Sequence, residues 1–214
     1  VAAYHESSLT LGKFLLTAGV RFDYERARLD YRCESDARGM FGVAPISPDN
    51  FADRLHNSFF EILPKVTATV RFDARNSLYA SVAKGYKAGG FNTQMFSEVQ
   101  QSRLMKQMGV AMHRLSIDEI VAYKPEYSWN YELGGHLQFA EGRVMMDFAA
   151  FWIECRNQQL TVFPEGTTTG RMMSNAGKSR SKGAELSLTW RVIEGLSLMG
   201  NYGYTNAKFV EFAD

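Results

Sequence analysis

Along most of this chain, side chains of opposite character alternate at every second residue, a period that strands satisfy and helices do not. In KFLLTAGVRFDYE, residues 13–25, Phe14, Leu16, Ala18, Val20, Phe22 and Tyr24 form one set. Lys13, Thr17, Gly19, Arg21, Asp23 and Glu25 dominate the other. The split recurs in ILPKVTATVRF (62–72), SLYASVAKGY (77–86), WNYELGGHLQF (129–139) and Val144 to Trp152, and again in Ala184 to Trp190 and Leu196 to Tyr204. The opening VAAYHES adds an eighth such stretch. Each has one apolar and one wet face.

The connections fall into two classes. DARNS, AEGR and RVIEG join neighbouring stretches as tight hairpin turns. The other joins, from about Arg26 to Phe59, Lys87 to Tyr127 and Glu154 to Lys182, far exceed ordinary loop length. Because short and long joins alternate, all short turns lie at one end of the sheet and all long loops at the other, as in transmembrane barrels. Aromatic residues gather at both ends. Phe22, Tyr24, Phe59, Phe60, Tyr86, Trp129, Tyr131, Trp152, Tyr202 and Tyr204 lie toward the long loops, and Phe72, Phe139 and Trp190 toward the short turns. Two such girdles suit two membrane interfaces. A soluble antiparallel sandwich also alternates, but it usually mixes its loop lengths at both ends.

Bulk composition discriminates little. The chain has 214 residues, a formal net charge of +1 and 45% hydrophobic residues, so nothing marks a nucleic-acid binder. No apolar run approaches the roughly 18 residues of a membrane helix, which bears only on helical spans, because a membrane strand needs about ten. The chain starts without Met and carries no leader, so a fragment of something larger is expected. Cys33 and Cys155 lack metal or redox spacing and read as isolated thiols; a bridge would require two distant loops to meet.

Motifs of catalysis are missing or broken. GYKAGGFN (85–92) is glycine-rich, but no helix follows to supply a phosphate-binding dipole. GRMMSNAGKS (170–179) ends like a phosphate loop with six residues between its glycines instead of four. HESSL lacks the second histidine of a zinc helix. Neither a catalytic group, a metal site nor a resident cofactor is expected.

SLYASVAKGYKAGGFN (77–92), YKPEYSWNYELGG (123–135), NAGKSRSKGAELSL (175–188) and LSLMGNYGYTNAKF (196–209) occur in this order and spacing. The chain resembles the barrel of TonB-dependent outer-membrane receptors, of the iron-siderophore and cobalamin uptake type. The resemblance implies an all-β, antiparallel transmembrane barrel of about 22 strands, of which residues 1–214 would supply about eight from the middle. It also implies an N-terminal plug, a short box that binds the TonB-type energy-transducing complex, and a last strand with an aromatic end; these lie outside the chain. Family-motif positions with structural roles are Gly85, Tyr86, Lys87, Gly89, Gly90, Asn92, Glu126, Trp129, Asn130, Tyr131, Glu132, Gly183 and Glu185. In that frame GYKAGGFN is a strand leaving the outer leaflet, with Tyr86 in the girdle and Lys84 or Lys87 near lipid phosphates.

The resemblance implies a receptor in the outer membrane of a Gram-negative bacterium that actively imports a ferric siderophore, haem or a cobalamin, with outer-membrane lipid as its surroundings. A passive porin, or a soluble sandwich that binds other molecules, is the alternative. Met40, Met95, Met105, Met108, Met112, Met172 and Met173, seven of ten methionines, fall in long loops. Met105, Met108, Met112 and Leu115 have helical spacing. Such a helix packs its own loop, offers an adaptable apolar ligand surface, or sets His113 and a nearby Met as haem ligands. Lumen charges Arg21, Asp23, Glu25, Lys65, Arg71, Glu132, Asp147 and Glu185 are expected to pair with each other or with the plug. Glu25, Asn130 and Arg171, near the outer mouth, are candidates for ligand contact.

Overall fold

A computed structural model describes residues 1–33, 51–96, 121–163, 171–175 and 177–211. Eight long strands form one antiparallel sheet: Ala2–Leu11 (β1), Phe14–Cys33 (β2), Phe51–Arg71 (β3), Ser77–Lys87 (β4), Glu126–Phe139 (β7), Val144–Arg156 (β8), Lys178–Ile193 (β11) and Leu196–Glu211 (β12). Two short pairs stand apart, Gly90–Phe91 (β5) with Ala122–Tyr123 (β6) and Gln159–Val162 (β9) with Met172–Asn175 (β10). Strand order in the sheet is β1-β2-β3-β4-β7-β8-β11-β12, so each long strand pairs with the next long strand in the chain. Short turns sit at 12–13, 72–76, 140–143 and 194–195, all at one end.

The ladder registers keep each apolar set on one face. Leu16 pairs with Ala68, Ala68 with Ala80, Ala80 with Leu133, Leu133 with Ala150, and Ala150 with Ala184. One residue along, Thr17, Thr67, Ser81, Glu132 and Phe151 line the opposite face. Among the described residues no second layer covers the apolar face: Phe14 is 61% exposed, Leu133 57% and Leu198 52%. The fully buried large side chains among the described residues are Met95 and Val121, both in the long connection between β4 and β7. A soluble sandwich would bury such a face in its core, whereas a barrel wall gives it to lipid.

β2 and β3 have 20 and 21 residues, about twice the length a membrane crossing needs. Their ladder runs unbroken from Phe14↔Val70 to Cys33↔Phe51, so much of the expected loop from Arg26 to Phe59 is regular hairpin. Beyond Tyr24 the formerly apolar parity turns to Arg26, Arg28, Asp30 and Arg32, which marks where the strand leaves lipid. Arg54 and Arg28 both bond Asp30 there and hold its carboxyl below the ordinary range.

At the opposite end Asp73 organises the β3–β4 turn. Its carboxylate accepts the backbone N–H of Arg75 at 2.7 Å and of Asn76 at 2.9 Å, and the Asn76 side chain at 2.7 Å. This is a self-closing Asx turn. Asn76 Oδ1 in turn accepts the backbone N–H of Gln138, tying the turn to β7.

Candidate ligand-binding mouth

At the long-loop end, side-chain amides stitch separate connections together. Asn92, 6% exposed, accepts the backbone N–H of Met173 at 2.7 Å and donates to the Met173 carbonyl at 2.9 Å, as a paired strand residue would. Gln159, 8% exposed, donates to the carbonyls of Ala88 and Lys124, while its backbone N–H reaches Glu126. Asn175 accepts from the backbone of Lys124 and donates to the carbonyls of Lys124 and Asn157. Irregular backbone is tolerated here because each strap satisfies peptide groups that a ladder would otherwise serve. Beneath them Met95 and Val121 supply a small apolar core.

The strapped segments leave a cleft of about 200 Å³ lined by Phe91, Asn92, Gln94, Tyr123, Met172 and Met173. Arg171 borders it: its carbonyl accepts from Gln94, and its guanidinium lies 5.6 Å from the Phe163 ring centroid. Aromatic, thioether and amide groups suit a ligand with both apolar and polar parts.

Below the mouth, the β3–β4 ladder stops at Lys65↔Ala83, whereas the β2–β3 and β4–β7 ladders continue. Across the gap, Lys84 Nζ meets Glu61 Oε2 at 3.0 Å and the Tyr127 hydroxyl donates to Glu61 Oε1 at 2.7 Å. The Tyr86 hydroxyl is buried in the same cluster, beside Glu25 and Tyr127. Tyr86 therefore does not stand in the lipid-facing girdle, and Lys84 does not reach lipid phosphates. The parting strands let side chains of outward parity turn toward the inward-parity carboxylates. Lys87 pairs with Glu126 and shares its inward parity. Phe59, opposite Glu25, has inward parity, and a Cβ on Gly89 would meet its ring and the Tyr123 carbonyl. That close backbone approach is why glycine stands at Gly89.

The wall's inward face is largely polar, with Leu63, Phe151 and Ile153 as apolar members. Arg21 pairs with Asp23 at 2.7 Å, His136 with Asp147 at 2.6 Å, and the Tyr79 hydroxyl donates to Glu132 at 2.8 Å. Lys65, Arg71 and Glu185 make no ion pair among the described residues. Cys155 is a free, buried thiol.

The family model described as TonB dependent receptor-like, beta-barrel matches residues 1–214. The chain belongs to the TonB-dependent receptor β-barrel family. Barrels of this kind lie in the Gram-negative outer membrane, which places the short turns on the periplasmic side and the long loops outside. The pesticin receptor of Yersinia enterocolitica is 28% identical over 210 residues, covering 98% of this chain and 26% of that receptor. The metal-pseudopaline receptor CntO of Pseudomonas aeruginosa is 34% identical over 87 residues, 41% of this chain and 12% of that protein. The crystal structure of the ferric yersiniabactin uptake receptor FyuA from Yersinia pestis shares the fold with a TM-score of 0.68 at 24% identity, covering 98% of this chain and 27% of that one. This receptor-barrel segment thus spans about a quarter of the length of the pesticin receptor.

Of the ligand candidates read from the sequence, Met105, Met108, Met112 and His113 lie outside the described residues. Arg171 borders the cleft. Asn130 and Glu25 do not line it. Asn130 sits in the barrel wall opposite Ala83 and Ile153, its Oδ1 buried without a partner among the described residues, and Glu25 joins the Tyr86 cluster. Among the family-motif positions, Gly85, Tyr86 and Lys87 lie on β4, Glu126 and Trp129 to Glu132 on β7, and Gly183 and Glu185 on β11. Gln94, Tyr123, Gln159 and Asn175, which build the mouth, carry no motif in the sequence that marks them as ligand-contact residues. The available signal is the amide side chains within the long loops, since each can both donate to and accept from backbone groups that no ladder serves.

Proposed function

We propose that this chain forms part of the wall and mouth of a receptor that binds a metal chelate of the ferric-siderophore class and imports it by TonB-dependent active transport. The observation that carries the reading is the family match across residues 1–214. It is supported by relatives named for pesticin, metal-pseudopaline and ferric yersiniabactin. The ligand-facing part is the strapped mouth with its Met172, Met173 and Tyr123 cleft, the Arg171 guanidinium beside it, and Met105, Met108, Met112 and His113 of the neighbouring loop. Asn130 and Glu25 serve deeper contacts on the inner wall. The full receptor closes its lumen with a plug of about 100 to 150 residues, one small domain's worth, and the TonB-type complex acts through that region.

The test uses the complete protein in cells. Uptake of the radiolabelled ferric chelate that supports growth should cease when the inner-membrane motor is deleted, while surface binding persists. In planar bilayers the complete protein should be nearly silent. A large steady conductance, or uptake indifferent to the motor, would replace this reading with a passive porin.

A further inference from the structure

The outward face of the wall carries a basic patch at its outer end that the chelate pathway does not use. Registers across β8, β11 and β12 arrange it in three rows. Trp152, Lys182 and Asn206 form the row nearest the membrane, Glu154, Arg180 and Lys208 the next, and Arg156, Lys178 and Glu211 the outermost. Directly opposed residues stand about 5 Å apart at Cβ, so adjacent rows share one surface. Below them the same parity continues as Ala150, Ala184 and Tyr204, then Phe148, Leu186 and Tyr202, the lipid-facing belt.

Charge in this patch is unbalanced. Five basic side chains, Arg156, Lys178, Arg180, Lys182 and Lys208, face two carboxylates. Glu211 takes Lys178 at 2.7 Å. Glu154 is 3.5 Å from Arg180 and also accepts the Trp152 indole N–H at 3.3 Å. Arg180 and Lys182 both stand over the Trp152 ring, at 4.8 and 5.8 Å from its centroid. Two cations on one indole repel each other unless an anion lies between or above them. The Arg180 side chain is about a third exposed, and its 3.5 Å contact with Glu154 is the longest ion pair in the patch. Lys182 and Lys208 make no ion pair among the described residues.

We propose that this face of β8, β11 and β12 binds the phosphate groups of a phosphorylated outer-leaflet lipid, with Arg180, Lys182 and Lys208 as the principal contacts. The chemistry matches at both levels: acyl chains lie on Leu186 and Phe148, Trp152 and Tyr204 sit at the boundary, and the phosphates meet the surplus bases one row above. Lys84, held by Glu61 across the β3–β4 gap, is not part of this patch.

The complete receptor, reconstituted in phosphatidylcholine nanodiscs, would be titrated with fluorescent bis-phosphorylated lipid A and with its dephosphorylated form. The phosphorylated lipid should bind more tightly, by roughly fivefold for each charge engaged, and raised salt should erode the difference. The variant R180Q/K182Q/K208Q should lose the preference, while K65Q/R71Q, which neutralises inward-facing bases, should keep it. Equal binding of the two lipids by the wild type, or an unchanged preference in the triple variant, would overturn the proposal. If the triple variant does not yield a heat-modifiable barrel, the single variant Lys208→Gln decides, with a reduced preference expected and an unaltered one counting against the site.

Discussion

Lys84 and Glu61 meet at 3.0 Å across the place where β3 and β4 part, although their positions give them opposite facing along their own strands. The contact closes a gap in the wall that no backbone hydrogen bond spans, and Tyr127 adds a second donor to the same carboxylate. Glu61→Ala should therefore destabilise more than Lys84→Ala, by about 2–4 against about 1–2 kcal/mol, because it strands a half-buried ammonium and a hydroxyl together. Urea unfolding of the complete receptor in lipid vesicles measures both. An equal cost for the two would show that Tyr127 contributes nothing.

Arginine at Val20, Val70 or Leu186 should impair membrane assembly, since these positions share the lipid-facing parity and a midplane cation costs roughly 2 to 4 kcal/mol there. Arginine at Thr17, Thr69 or Ser187, positions of the opposite parity, enters the watery lumen and should be tolerated better. The yield of heat-modifiable barrel reads the difference, and similar damage in both sets would contradict the face assignment.

The amide straps hold the mouth locally. Replacing Asn92 by Ala removes both bonds to the Met173 peptide and leaves that N–H and carbonyl to find water, at a cost of about 1–3 kcal/mol. Hydrogen exchange should accelerate at Met173 and its β9 partner Thr161, with little change in the long strands. Protection lost equally in β7 and β8 would mean that the strap supports the wall as well.

Asp73 gives the β3–β4 turn a pH dependence. Bonds from the Asn76 side chain and the backbone amides of Arg75 and Asn76 hold its carboxyl below the ordinary 3.8. A lowered folded value means the contribution is present above the unfolded pKa and is lost as pH falls through the folded one. The stability gap between the wild type and Asp73→Ala should be complete above about pH 4 and shrink below it. Unfolding midpoints in vesicles at pH 7 and pH 3 test this, and a gap that stays constant would place the turn's stability elsewhere.

The strand count, the single-faced apolar pattern and the alternation of short and long joins were legible in the residues themselves, because a period of two is a local property and the membrane reads each strand face directly. Local pattern also marked the hairpin turns, DARNS among them, whose hydrogen bonds close within four residues. What no local pattern carried is where neighbouring strands separate. The sequence puts Tyr86 in the girdle and Lys84 or Lys87 near lipid phosphates, yet the end of the β3–β4 ladder at Lys65↔Ala83 turns Tyr86 toward Glu25 and Lys84 toward Glu61. The mouth straps join residues up to 81 positions apart, and the phosphate-facing patch exists only when β8, β11 and β12 lie in register. Such contacts depend on which backbone groups remain unpaired after the ladders form, and that is settled by the whole sheet together.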